Sequence, residues 1–162
     1  MLAREGHAIC TADVRGVGAL LPERSAGASA YARSHPVEDG FASASLILGE
    51  SLLSQRITDL LALVESLSNH PSLSGRPLAL AARGALTIPA LFAAALDPRI
   101  AALHLDGPLA SYRSVLDTES PRCPLASIFP GILSIIDLPA AAALVSPRPV
   151  ILAGPVDGQD NP

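Results

Sequence analysis

Aromatic residues are nearly missing from this chain: tryptophan is absent, and phenylalanine and tyrosine make up 3% of 162 residues. So few rings leave no stacking platform for bases and no tryptophan shelf for a sugar. Charge is also thin, at 16% of residues with a net charge of −4, and no basic patch interrupts it. Nucleic acid is therefore excluded as a partner. The two cysteines, Cys10 and Cys123, lie far apart with no C-x-x-C spacing, which excludes a zinc signature or a disulfide framework and leaves two isolated thiols. Although 49% of residues are apolar and mean hydropathy is positive, no uncharged apolar run approaches the ~18–20 residues of a membrane span. The longest, Ala85 to Leu96, reads as a buried helix. The N-terminal "MLAREGHAIC" has no basic segment followed by an apolar one, so no export signal is visible. The chain reads as cytoplasmic by default, or as secreted if an upstream segment is missing, because it opens as if in mid-fold. No metal cluster or cofactor motif is present, and no cofactor is expected.

What remains is one domain's worth of chain, long enough to bury a core. "MLAREG" reads as the end of a helix stopped by Gly6, and "HAICTA" as a short strand leading into a turn at Asp13, Arg15, Gly16 and Gly18. The Ala-, Ser-, Pro- and Gly-rich stretch from Ala19 to Gly40 has no period and reads as a surface loop. Helical spacing then runs from Ser45 to Ser68. Leu53, Ile57, Leu60, Leu61, Val64 and Leu67 share one face, with Arg56 and Asp59 opposite. "LALAA" resembles a strand covered on both faces. Thr87 is placed to cap the helix that follows, and Pro89 falls in that helix's first turn. "IAALHLDG" reads as the next strand, "PLASYRSVLDTESPRCPLASIFPG" as loop with short helical turns, and "ILSIIDLPAAAALVSP" as a helix broken near Pro139. Val150 to Ala153 forms the last strand. Strands alternating with helices specify an α/β fold in which a parallel sheet carries helices on both faces, a three-layer α/β/α arrangement.

Chemistry in such a sheet gathers just past the carboxyl ends of the strands, which here means Asp13, Arg83–Ala85 and Asp157. The middle site has a distinctive form. A strand, a sharp turn and a helix in G-x-S-x-G present a nucleophilic serine on a strained backbone. In this chain the five positions fall on Ala82, Arg83, Gly84, Ala85 and Leu86. The nucleophile position is Gly84, which takes the strained dihedral freely but has no hydroxyl. Thr87 and Ser51 do not replace it: the first sits at a helix start and the second inside a helical pattern.

The segments "DVRGVG", "ILGESLLSQRITDLLALVESL", "ALFAAALDPRIAALHLDGPLASY" and "DLPAAAALVSPRPVILAGPVDG" resemble the later part of α/β-hydrolase-fold esterases, of the acetyl xylan esterase-like and dienelactone hydrolase-like group. The resemblance runs through nearly the whole chain and is strongest at Leu78–Tyr112 and Asp137–Gly158. It implies a partial α/β-hydrolase domain without the first strands or the final histidine-bearing segment. It further implies carboxylic-ester hydrolysis by a Ser-Asp-His triad, with a small ester or an acetylated carbohydrate as substrate. Asp157 falls at the position of the triad acid, although a turn aspartate in "VDG" reads equally well. Arg83 and Ala85 flank the nucleophile position, where backbone N–H groups would form part of an oxyanion hole. The triad histidine should follow the acid, yet His7, His35, His70 and His104 all precede it. His104, between two leucines, reads as a core or sheet histidine. Arg15 is expected to pair with a carboxylate and brace its strand end.

Three functional readings follow. The first is an esterase relative, a fragment or degenerate form, without a complete triad. The second is a non-catalytic binding or scaffold module that keeps the hydrolase fold. The third, a nucleotide site at Gly16-x-Gly18 with Asp39 beyond it, lacks the third glycine, whose place Leu21 takes. Unpaired sheet edges would favour self-association.

Overall fold

A computed structural model of the chain describes residues 6–23, 30 and 36–162. The helix end assigned to residues 1–5, and the part of the loop at 24–29 and 31–35 that holds His35, lie outside the described residues.

The fold is α/β. Helices α1 (Val37–Ile47) and α2 (Leu52–Ser68) precede β1 (Leu78–Arg83). Then come α3 (Thr87–Leu96), β2 (Ile100–Asp106), α4 (Tyr112–Leu116), α5 (Leu138–Val145) and β3 (Val150–Ala153). The three strands form one parallel sheet in the order β1-β2-β3, with Leu80 opposite Leu103 and Leu105 opposite Leu152. Both crossovers step the same way across the sheet. Right-handed connections therefore place α3 and α5 on the same face, and the two helices pack together, with α2 against α3 on its other flank.

Alternation along the strands then decides the core. Leu103 and Leu105 of β2 point into the helical layer and are buried with Ile88, Leu91, Ile100, Leu138 and Val145. Ala90, Ala93 and Ala94 of α3 are buried as well; their small side chains let the helix lie close to the sheet. On the opposite side of the pleat, Ala79, Ala81 and His104 are exposed.

Several local expectations need correction. Residues 7–12 form no ladder and are exposed, because no described strand lies beside them to take up their backbone groups. The helical pattern from Ser45 to Ser68 is two helices. Gly49, at φ +89°, turns the chain between them, and Ser51 Oγ caps α2 by accepting from Ser54 N at 3.0 Å. The apolar β1 is covered on one face, not two. Arg56, expected on the polar side, is 1% exposed. Its guanidinium donates to Arg15 O at 3.0 Å and Glu38 Oε1 at 2.6 Å, the pairing a buried charge requires. Arg15 does bind a carboxylate, Asp59, at 2.6 Å. The expected break near Pro139 is there: a 3-10 turn at Ile132–Ser134 ends before α5, which Asp137 caps and which holds the proline in its first turn.

Arg148, just before β3, ties the helical layer to the sheet. Its guanidinium donates to the carbonyls of Ala94, Asp97, Ile100 and Val145 at 2.7–3.1 Å, satisfying acceptors at the ends of α3 and α5. Among the described residues no single helix is long and apolar enough to cross a membrane.

Candidate functional site

The carboxyl ends of the three strands make sharp bends at one end of the sheet. β1 runs extended to Arg83 (φ −132°, ψ 145°), and the chain then turns through Gly84 into a 3-10 turn that feeds α3. Gly84 has φ +58°, a left-handed value that a side chain resists. The turn is fastened by Thr87, whose Oγ1 donates to Gly84 O at 2.6 Å. Thr87 therefore does not cap α3 as expected, since its hydroxyl is spent on the bend. A Cβ at Gly84 would meet nothing within 4 Å, so this position points into open space. Gly107 (φ +63°) and Gly154 (φ +55°) bend the chain at the ends of β2 and β3. Beyond these bends, Val156 N donates to Pro108 O at 2.9 Å and Ala110 N to Val156 O at 2.8 Å, holding the two exit segments side by side.

These bends enclose a cavity of about 320 Å³. Gly84, Ala85 and Ile88 form the wall from β1 and α3, and Gly107 and Leu109 the wall beyond β2. Arg122, Cys123, Pro124 and Ser127 come from the loop between α4 and α5, and Val156, Asp157 and Asp160 from the segment after β3. The nucleophile position and the acid position assigned from sequence thus face one cavity, although 73 residues separate them in number. A second depression, about 430 Å³, lies beyond the same loop between Pro36, Glu38, Asp39 and residues 121–125. It is the larger of the two, but Glu38 in its wall is already committed to Arg56, and none of the strand ends reaches it.

Asp157 uses its carboxylate within its own turn. Oδ1 accepts from Gln159 N at 2.7 Å and Asn161 N at 3.0 Å, and Oδ2 from Asn161 Nδ2 at 3.3 Å. The backbone N–H of Asn161, then that of Gln159, holds the carboxyl below the usual carboxylate range. Arg83 does not line the cavity. Its exposed side chain pairs with Asp106 on the neighbouring strand at 3.1 Å, a surface contact of little energetic weight. Ala85 does line it. His7, His70 and His104 are all exposed and none lines the cavity.

Two further groups in the wall were not anticipated. Burial, followed by the nearby Asp160 charge, pushes the Cys123 thiol up to about 11, so at neutral pH it stays protonated and is no nucleophile. Ser127 is 1% exposed, and its Oγ has no hydrogen-bond partner among the described residues. Its backbone is pinned from both sides: Ser127 N donates to Pro124 O at 2.9 Å, and Tyr112 Oη donates to Ser127 O at 2.6 Å. Nothing in "CPLASIF" marks this serine in the sequence, because its burial arises only when the loop folds over the strand ends. Among the described residues no group of three or more His, Cys, Asp or Glu is placed to hold a metal.

Comparison with protein-family models, with curated proteins and with solved structures finds no match to this chain.

Proposed function

We propose that this chain is related to the carboxylic-ester hydrolases of the α/β-hydrolase fold, in the acetyl xylan esterase-like group, and that it binds at its elbow without carrying out triad chemistry. The observation that carries this reading is the bend at Gly84, left-handed at φ +58° between a parallel strand and a buried helix, facing the same cavity as Asp157. That is the arrangement in which a nucleophile and its acid would be placed, and here the nucleophile position holds only hydrogen. An acyl-enzyme needs a side-chain oxygen or sulfur to form the new bond. Gly84 has neither, and the thiol of Cys123 is held in its protonated form.

The engagement of Asp157 favours the binding reading over residual catalysis. A triad carboxylate must accept from an imidazole N–H to orient it, but this one accepts from two backbone amides and an asparagine side chain of its own turn. The described histidines lie elsewhere on the surface. A small ester or an acetylated sugar is the ligand class the relationship brings with it.

Hydrolysis of p-nitrophenyl acetate tests this reading. The expected rate is the buffer background, the same for the unaltered protein and for Asp157→Ala. Turnover above background that disappears in Asp157→Ala would overturn it.

A further inference from the structure

We infer that this chain pairs with a second copy of itself by strand exchange. Residues 7–12 of one copy add to the free edge of β1 in the other, and the reverse pairing closes a two-fold dimer. This is independent of the elbow reading, since neither element lines the cavity.

Two unpaired backbone surfaces occur in the same chain. β1 is hydrogen-bonded to β2 on one side, and its other edge has no partner strand among the described residues. Residues 7–12 are exposed and form no ladder among the described residues. Yet Ile9 and Thr11 are β-branched, and no glycine or proline interrupts the segment. An open strand edge is a template for another strand. The devices that usually protect such an edge are missing from β1, which has no proline and no charged residue before Arg83. The segment is also anchored just past its carboxyl end. Asp13 accepts from Ala19 N at 2.9 Å, and Arg15 donates to Asp59 on α2 through its backbone N–H at 3.0 Å and its guanidinium at 2.6 Å. Residues 7–12 are therefore presented from a fixed point on the surface.

Length and side-chain alternation match the two surfaces to each other. β1 has 6 residues, the same as the segment, whereas β3, whose outer edge is also open, has 4. Along β1, Leu78, Leu80 and Ala82 pack against the core beneath the helices, and Ala79 and Ala81 alternate onto the exposed face. The segment alternates in the same way, with Ile9 and Thr11 on one side and Ala8, Cys10 and Ala12 on the other. Set beside β1, Ile9, which is 59% exposed, joins Leu80 on the helical face. The small residues then extend the alanine face, and no charge is buried. Within one chain both surfaces stay unpaired. A second copy satisfies both at once, and the exchange closes because each copy gives one strand and receives one.

Sedimentation velocity and amide hydrogen exchange on the full chain test this. The expected result is a monomer–dimer equilibrium in which slow exchange at residues 8–12 appears only at concentrations where the dimer forms. Thr11→Pro removes a backbone donor from the segment and is expected to weaken the dimer about tenfold or more, the effect of at least one net hydrogen bond. Ile9→Lys, which puts a charge where the segment meets Leu80, is expected to weaken it as well. Both residues are exposed, so each variant should melt with the parent at concentrations where the parent is monomeric. The inference is overturned if the parent is a monomer throughout or if both variants dimerise as tightly as the parent. Open-ended oligomers in place of a dimer overturn it too, because the exchange would then not close. Protection of residues 8–12 in the monomer would place the strand in its own sheet and overturn it equally.

Discussion

Replacing Gly84 with alanine separates backbone strain from crowding, because the structure makes one cost large and the other zero. At φ +58° an L-residue is in the left-handed region, at a cost of about 1–2 kcal/mol. The added methyl meets nothing within 4 Å, so no packing cost accompanies it. Alanine also narrows the unfolded ensemble, which returns about 0.4–1 kcal/mol. The net expectation for Gly84→Ala is a loss of about 1 kcal/mol. Gly158→Ala is the control. There the new Cβ would stand 2.6 Å from Ser114 O and 2.8 Å from Val115 Cα, both backbone atoms, so the segment after β3 must shift at the cost of overpacking, about 1–3 kcal/mol. Urea unfolding at constant slope measures both. If Gly84→Ala is neutral or stabilising, residue 84 does not occupy a left-handed bend in solution. If it costs as much as a core clash, the space in front of it is filled. Either result removes the elbow geometry on which the functional reading depends.

Three other expectations follow from the same contacts. Arg148→Met removes the donors that serve four carbonyls and is expected to cost about 2–3 kcal/mol in thermal or urea unfolding; an unchanged midpoint would refute the clamp. Asp97 is held below its ordinary pKa chiefly by the hydrogen bond from Arg99. Its contribution is therefore complete above the unfolded value near about 4 and lost as pH falls through the lower folded value. Asp97→Asn should flatten that acid limb of the stability profile, and an unaltered limb would count against the pair. The outer edge of β1 has no partner strand among the described residues, and Ile151 is 56% exposed on β3, so sedimentation velocity is expected to show association that grows with concentration. Ala81→Lys on the exposed side of β1 should suppress it, and a monomer at every concentration would end this expectation.

The elements readable from sequence are those whose signal is local. β1, β2 and β3 are short apolar runs between turn residues, and α3 is an apolar stretch opened by a glycine and a proline in permitted places; all four fall where the pattern puts them. The bend at Gly84 was legible because it follows from the junction of strand and helix alone. Features that depend on distant partners were not. Residues 7–12 have strand-like composition, but composition cannot supply the neighbour that a ladder needs. Arg56 falls on the polar side of a helical wheel, yet the chain brings Glu38 and the Arg15 carbonyl over it and buries it. The break at Gly49 was hidden because apolar spacing continues across it. Thr87 reads as a cap in one dimension, and three-dimensional proximity to Gly84 O gives its hydroxyl another use. Ser127 enters the site only through the fold of the loop around Tyr112.

That last residue also bears an energetic cost. A buried hydroxyl without a partner costs about 1–3 kcal/mol, a large part of the roughly 5–15 kcal/mol by which a domain is stable. A single substitution to alanine would recover that loss, and the strain at Gly84 is avoided only by keeping glycine there. Gly84 and Asp157 stand in the wall of one cavity, the glycine at a left-handed bend and the carboxylate tied into its own turn. These features are located together where the strands end, the position from which a parallel sheet presents groups to a ligand. The melting temperature of Ser127→Ala measures the cost of the unpaired hydroxyl directly: a rise of a few degrees is expected when an unpaired buried hydroxyl is removed, and a fall would show that the hydroxyl is paired in solution.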